Sequence, residues 1–129
     1  MIVVDTSVVF DFCINSEKVP LLREVLLAGG SLVAPEIIEL EFIQVLRRRL
    51  RKGIVDADQA ETVLANFQDM NVTCFPHGIL RERVWAMREN LTAYDAAFFA
   101  LAMHVDAPLW TRDAKFARAP IPSVDVRVV

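Results

Sequence analysis

The chain has 129 residues, 54% of them hydrophobic, and 17 acidic against 14 basic side chains for a net charge of −3. That length and apolar content fit one domain with a full core and exclude a disordered polymer. The acidic balance speaks against a protein whose main work is to wrap nucleic acid, and no apolar run reaches the ~18 residues of a membrane span.

Met1-Ile2-Val3-Val4 runs straight into Asp5-Thr6-Ser7. A short β-branched run closed by polar turn residues predicts a buried strand with Asp5 at its carboxyl end. No basic region precedes a long apolar segment, so no secretory signal is expected. Val8 to Phe12 reads as a short helix capped by Thr6 or Ser7. Pro20 suits a first helical turn, Leu22, Val25 and Leu26 recur at helical spacing, and Gly29-Gly30 stops that helix. Ser31 to Ala34 is a second strand, and Pro35 to Lys52 a long helix ending at Gly53. Asp56 to Asp69 is another helix, opened by the capping pair Asp56 and Gln59 and striped by Ala60, Val63, Leu64 and Phe67. Asn71 to Phe75 is a third strand, closed by Pro76. Leu80, Val84, Met87 and Leu91 mark one helix, and Thr92 opens a further, almost wholly apolar one to about Val105. Ala107 to Trp110 is a brief strand, and the alternating tail from Val124 to Val129 a last, more exposed one. Strands alternating with helices predict an α/β fold with a parallel sheet covered on both faces, one domain over residues 1–129. Cys13 and Cys74 lack metal-site spacing and read as small core hydrophobes in a reducing, cytoplasmic setting.

Four carboxylates carry the chemistry, each with an ordinary structural alternative. Asp5 ends the first strand, at the edge where open α/β sheets bind ligands; otherwise it is a turn residue or an acid at a helix start. Glu41 falls between Ile37, Ile38 and Val45 on its helical wheel, so it faces the core side, where a charge needs an ion pair or a metal. Asp95 completes a capping-box spacing in Thr92-Ala93-Tyr94-Asp95, yet it also starts a buried helix at the same sheet rim. Asp113 follows the strand at Leu109-Trp110 and either caps a short helix through Arg118 or joins the others. One rim can collect all four. Clustered carboxylates repel unless a cation is bound, and an all-oxygen set suits a hard divalent ion. Thr6, Ser7 and Thr111 stand ready to hydrogen-bond them.

Val4-Asp5-Thr6-Ser7, Ala34-Pro35 leading to Glu41, Leu91-Thr92-Ala93-Tyr94-Asp95-Ala96 and Trp110-Thr111-Arg112-Asp113 occur in one order across nearly the whole chain. In these pieces the chain resembles PIN-domain proteins, most specifically the VapC-type toxin ribonucleases of type II toxin–antitoxin pairs. The resemblance implies a five-stranded parallel sheet flanked by helices and Mg²⁺- or Mn²⁺-dependent endoribonuclease activity. It implies Asp5, Glu41, Asp95 and Asp113 as the acidic quartet, with Thr6 and Thr111 as supporting hydroxyls. It also implies a small antitoxin partner that blocks the site, and a homodimer. Where many relatives carry Asn three residues after the helix glutamate, this chain has Gln44.

Arg112 and Lys115, flanking Asp113, are the candidate substrate contacts. The basic run Arg47-Arg48-Arg49-Leu50-Arg51-Lys52 either meets phosphate or is a solvated helix end suited to the dipole, and the second reading is favoured. Trp85 and Trp110 are expected in the core, and His104 is expected to be structural. Phe10, Phe12, Leu21 and Leu22 are expected to leave apolar surface for partners. A receiver-type domain would need an acid ending the third strand, which ends Thr73-Cys74-Phe75-Pro76, and a haloacid-dehalogenase-like phosphatase would need an acid at Ser7. The remaining alternative is a PIN-like binding module without catalysis.

Overall fold

The computed structural model describes residues 1–129. Its five strands are β1 (Ile2–Val4), β2 (Leu32–Pro35), β3 (Thr73–Phe75), β4 (Leu109–Thr111) and β5 (Val126–Val128). They form one all-parallel sheet in the order β3-β2-β1-β4-β5. The helices are α1 (Thr6–Ile14), α2 (Pro20–Leu27), α3 (Ile37–Arg51), α4 (Ala57–Asp69), α5 (Arg81–Ala86), α6 (Ala93–Val105) and α7 (Ala114–Ala117). The α/β class and the parallel sheet expected from the sequence are both present.

The strand order places the site. From β1 the chain steps outward through β2 to β3, then returns across the sheet to β4 and β5. Right-handed crossovers put helices of the two directions on opposite faces. The reversal leaves a crevice between β1 and β4, at their carboxyl ends, where such sheets receive ligands. Asp5 follows β1 and Asp113 follows β4, so both stand at that crevice.

The core is continuous beneath it. Val3 and Val4 of β1, Leu109 of β4, Phe42 of α3 and Phe99 of α6 are almost wholly shielded from water. Phe42 stacks on Phe67 with ring centroids 4.2 Å apart and leans on Phe10 at 5.1 Å, which ties α1, α3 and α4 together. Each such ring contributes roughly 1.5–3 kcal/mol through burial. Residues Ala96 to Ala102 of α6 are all buried, as the apolar run predicts.

Local chemistry sets the boundaries. Asp56 and Gln59 form both halves of a capping box on α4. Gly30 ends the α2 turn because a Cβ there would lie 2.5 Å from Val25 Cγ1. Three expectations need correction. The cap of α1 is Asp5 itself, not Thr6 or Ser7. Pro35 closes β2 instead of opening α3, whose first free N–H, at Ile37, donates to His77 Nε2 at 2.9 Å. The single helix expected from Leu80 to Leu91 is a 3₁₀ turn (His77–Leu80) followed by the six-residue α5. Cys13 is buried and its thiol is pushed up to about 12; Cys74 is half-buried and pushed up to about 11; burial is the leading cause for both, and both are free.

Candidate metal centre

Asp5 is the anchor of the rim. Its carboxylate is 4% exposed. Oδ1 accepts from Ser7 Oγ at 2.6 Å and from the Val8 N–H at 3.1 Å, which caps α1. Oδ2 accepts from Thr111 Oγ1, the last residue of β4. Thr111 is fully buried, and its oxygen also receives the Asp113 N–H at 2.9 Å. One hydroxyl thus spans the crevice and fixes the two strand-end acids relative to each other. Capping and site support, alternatives in the sequence, are the same hydrogen bonds.

Glu41 reaches the rim from α3. It is half-buried, and Thr6 Oγ1 donates to its Oε1 at 2.8 Å. Its neighbours Glu36 and Glu39 are exposed, as the helical wheel requires. Asp95, in the first turn of α6, is half-buried, and its N–H donates to Thr92 Oγ1 at 3.2 Å. Asp113 is exposed and caps α7 through the Lys115 N–H at 2.9 Å.

The charges are felt between these groups. Burial holds the Asp5 carboxyl above its ordinary range, against the pull of the Ser7, Thr111 and Val8 hydrogen bonds. Glu41 is raised first by burial, opposed by Thr6, then raised further by the charges of Asp95 and Asp5. Asp95 is raised by burial and by the charge of Asp113, with Thr92 opposing. The acids are thus linked in pairs, Glu41 to Asp5 and Asp95, and Asp95 to Asp113, and no three acidic, histidine or cysteine side chains stand close enough to cage an ion as they are.

No protein cation neutralises them. The chain's three ion pairs join Arg88 to Glu89, Arg112 to Asp11 and Arg127 to Asp125. A nearly buried carboxylate without an ion-pair partner suits a divalent cation, and an all-oxygen donor set suits Mg²⁺ or Mn²⁺.

The other residues of interest separate. Arg112 is exposed but tethered: Nε pairs with Asp11 Oδ2 at 2.7 Å, and a terminal nitrogen donates to the main-chain oxygens of Lys18 and Val129. Its own N–H donates to Ser7 Oγ at 3.0 Å, so it braces the hydroxyl that supports Asp5. The Lys115 side chain is exposed. A groove of about 540 Å³ runs from Thr6, Ser7 and Glu41 past Gln44 to Arg48 and Arg49. Arg48 and Arg49, in the last turn of α3, are thus the two cations of the basic run that line the groove. Trp110 is buried as expected, but Trp85 is 67% exposed, contrary to its core assignment. It lies on α5, where the helical period that predicted a buried face breaks. Sequence reasoning also missed His77 as the cap of α3; a histidine forty residues from the N–H it accepts leaves no local signal.

The PIN-domain family model matches residues 2–122. The chain belongs to the PIN-domain family. Its relatives include Ribonuclease VapC1 of Mycobacterium tuberculosis, 30% identical over 98% of this chain and 96% of that protein. Ribonuclease VapC9 of the same organism is 32% identical over 91% and 89%. The fold matches that of PAE2754 from Pyrobaculum aerophilum, with a TM-score of 0.68 at 20% identity over 98% of this chain and 83% of that one. It also matches a chain of VapBC2 from Rickettsia felis, a structure that holds a DNA fragment from their promoter, with a TM-score of 0.67 at 16% identity and 98% coverage of both. This PIN protein is thus related along its full length to VapC ribonucleases of toxin–antitoxin systems.

Proposed function

We propose that this PIN protein is a Mg²⁺- or Mn²⁺-dependent endoribonuclease, the toxin of a toxin–antitoxin pair. The observation that carries the reading is the Asp5 carboxylate: buried, without an ion-pair partner, and linked by charge to Glu41, as Glu41 is to Asp95 and Asp95 to Asp113. In this reading Asp5, Glu41, Asp95 and Asp113 hold the ion. A bound divalent ion supplies a Lewis acid for the scissile phosphate and lowers the pKa of water. Thr111 and Ser7 orient Asp5, Thr6 orients Glu41, and Arg112 braces Ser7 without touching substrate. Lys115 stands at the outer edge, within reach of a substrate phosphate. Neither histidine takes part: His77 is engaged with Ile37, and His104 stands edge-on to Phe75 at 6.2 Å.

Protein partners fit the same reading. Of the four apolar residues expected to face them, Phe10 and Leu22 are core, Phe12 is half-buried and only Leu21 is exposed. The free apolar surface is instead at Leu27, Leu40, Ile79, Trp85 and Tyr94. We assign it to the cognate antitoxin and to a second copy of the chain. No helix is long and apolar enough to cross a membrane, and the two unpaired thiols support a cytoplasmic setting.

The separation of the four acids favours one second reading, a PIN-like binding module that neither holds metal nor cuts. Antitoxin-free protein incubated with structured RNAs, with and without Mg²⁺ or Mn²⁺, separates the two. The nuclease reading expects metal-dependent cutting that Asp5→Asn and Asp95→Asn abolish. Unchanged cutting in those variants contradicts it, and no cutting by the wild type with either metal supports the binding module.

A further inference from the structure

Building on the nuclease reading, we propose that Arg48 and Arg49 bind phosphates of the RNA strand as it enters the carboxylate rim along the groove beside α1 and α3. The helix dictates the alignment. Seven residues separate Glu41 from Arg48, close to two full turns, so both lie on one stripe of α3 about 10 Å apart along its axis. Arg48 and Arg49 line the groove that also contains Thr6, Ser7 and Glu41.

Both arginines are free to take a ligand. Neither is in an ion pair, and the groove's other acid, Asp11, is already held by Arg112 at 2.7 Å. Arg49 is also preorganised: its guanidinium lies 5.0 Å from the centre of the Phe10 ring, which is 2% exposed and belongs to the core. The chemistry requires such groups. Four carboxylates at one rim repel a polyanion, and a strand must be held beside them until its scissile phosphate is seated. Arginine forks match phosphate oxygens two at a time.

The same run contains its own control. Arg47, Arg51 and Lys52 are exposed and do not line the groove, so they keep the role of a solvated helix end beside the dipole. A general attraction of RNA to a basic helix end would draw on all five cations alike. A groove contact draws on two.

The test is the fluorescence anisotropy of a labelled single-stranded RNA 12-mer against potassium chloride concentration, in EDTA so that nothing is cut. The double variant R48Q/R49Q is expected to bind roughly tenfold more weakly, with the salt slope reduced by about 1.4, the value for two lost phosphate contacts on a single strand. R48K/R49K should recover most of the affinity, and R47Q/R51Q should change it less than twofold, all with unchanged thermal melts. Equal loss in R47Q/R51Q and R48Q/R49Q overturns the proposal in favour of diffuse attraction. Unchanged RNA affinity in R48Q/R49Q overturns it outright; if that variant also loses a copurifying acidic protein, the groove belongs to that partner. Because the titration needs no catalysis, it still decides the proposal if the wild type fails to cut RNA with Mg²⁺ or Mn²⁺.

Discussion

Two depressions meet at Ile37 and Tyr94 and otherwise share little. The groove holds Glu41, Thr6, Ser7 and two arginines; its neighbour, of about 510 Å³, is walled by Leu80, Val84, Trp85, Leu91 and Ala97, with Arg81 and Arg88 among its charged residues. In the first, Glu41 is half-buried and its carboxyl is raised by burial and by the charges of Asp95 and Asp5, which lie outside the groove's lining. In the second, apolar surface is left open, and the Trp85 ring is covered only by the Arg88 guanidinium at 4.5 Å. In the proposed reading the first wall serves chemistry and the second serves contact. Of their two common residues, Tyr94 stands beside Asp95 in the chain and is 63% exposed.

The largest expected effect falls on the carboxylates beside the first wall, where Asp95 follows Tyr94 in the chain. Asp95→Asn should lower metal-dependent RNA cleavage at least about a hundredfold, since even groups that only support metal ligands are typically worth ten- to a hundredfold. Trp85→Ala should leave the cleavage rate of the isolated chain within about twofold. Equal losses in a cleavage assay would erase the distinction between the two walls.

Thr111→Val comes next. It removes the donor to Asp5 Oδ2 and the acceptor of the Asp113 N–H in a fully buried place. The expected cost is about 1–3 kcal/mol in chemical denaturation, together with a clear fall in cleavage. Wild-type stability in this variant would mean that the two strand-end acids are not tied through that hydroxyl.

The pH dependence of stability is the third. Asp5, Glu41 and Asp95 are all raised in the folded protein, with burial as the leading cause. A carboxyl raised above its unfolded value contributes stability that is complete below the ordinary carboxylate range and lost as pH rises through the folded values. In EDTA, melts should show the contribution of these groups declining from the acid side toward neutrality, and Asp5→Asn should flatten that decline. Adding Mn²⁺ should oppose it, because the ion competes with protons for the same oxygens. A decline of the same size in Asp5→Asn would detach the rim from the effect.

The smallest effect sharpens the other wall. Trp85→Ala should change the unfolding free energy by no more than about 0.5 kcal/mol, whereas Phe42→Ala in the core should cost about 3–5 kcal/mol. A large loss at Trp85 would return it to the structural role that the helical pattern suggested.

What could be read in advance follows the same division. The sheet and the long helices are legible because each rests on several residues of one period or on a strand end. Glu41 faced inward on its wheel, and Ala96 to Met103 formed an unbroken apolar run before any coordinates. Trp85 was misassigned because Leu80, Val84, Met87 and Leu91 mimic a helix that the chain makes only in pieces: a 3₁₀ turn, the short α5, and turns up to Thr92. A cluster of cations has no period, so only the position of α3 beside α1 shows which two of the basic run line the groove. Asp5 as a helix cap was recoverable from its place before Thr6, but its bond to Thr111 joins residues 106 apart and depends on the strand order.

The central claim is that four rim carboxylates are completed by a divalent ion. Calorimetric titration of Mn²⁺ into metal-free protein, at pH 7.5 and at pH 5.5, tests it most directly. The account predicts saturable binding at pH 7.5 with release of protons, weaker binding at pH 5.5, and none of this in Asp5→Asn. Binding that is equal in the wild type and Asp5→Asn, or absent from the wild type at both pH values, would contradict it.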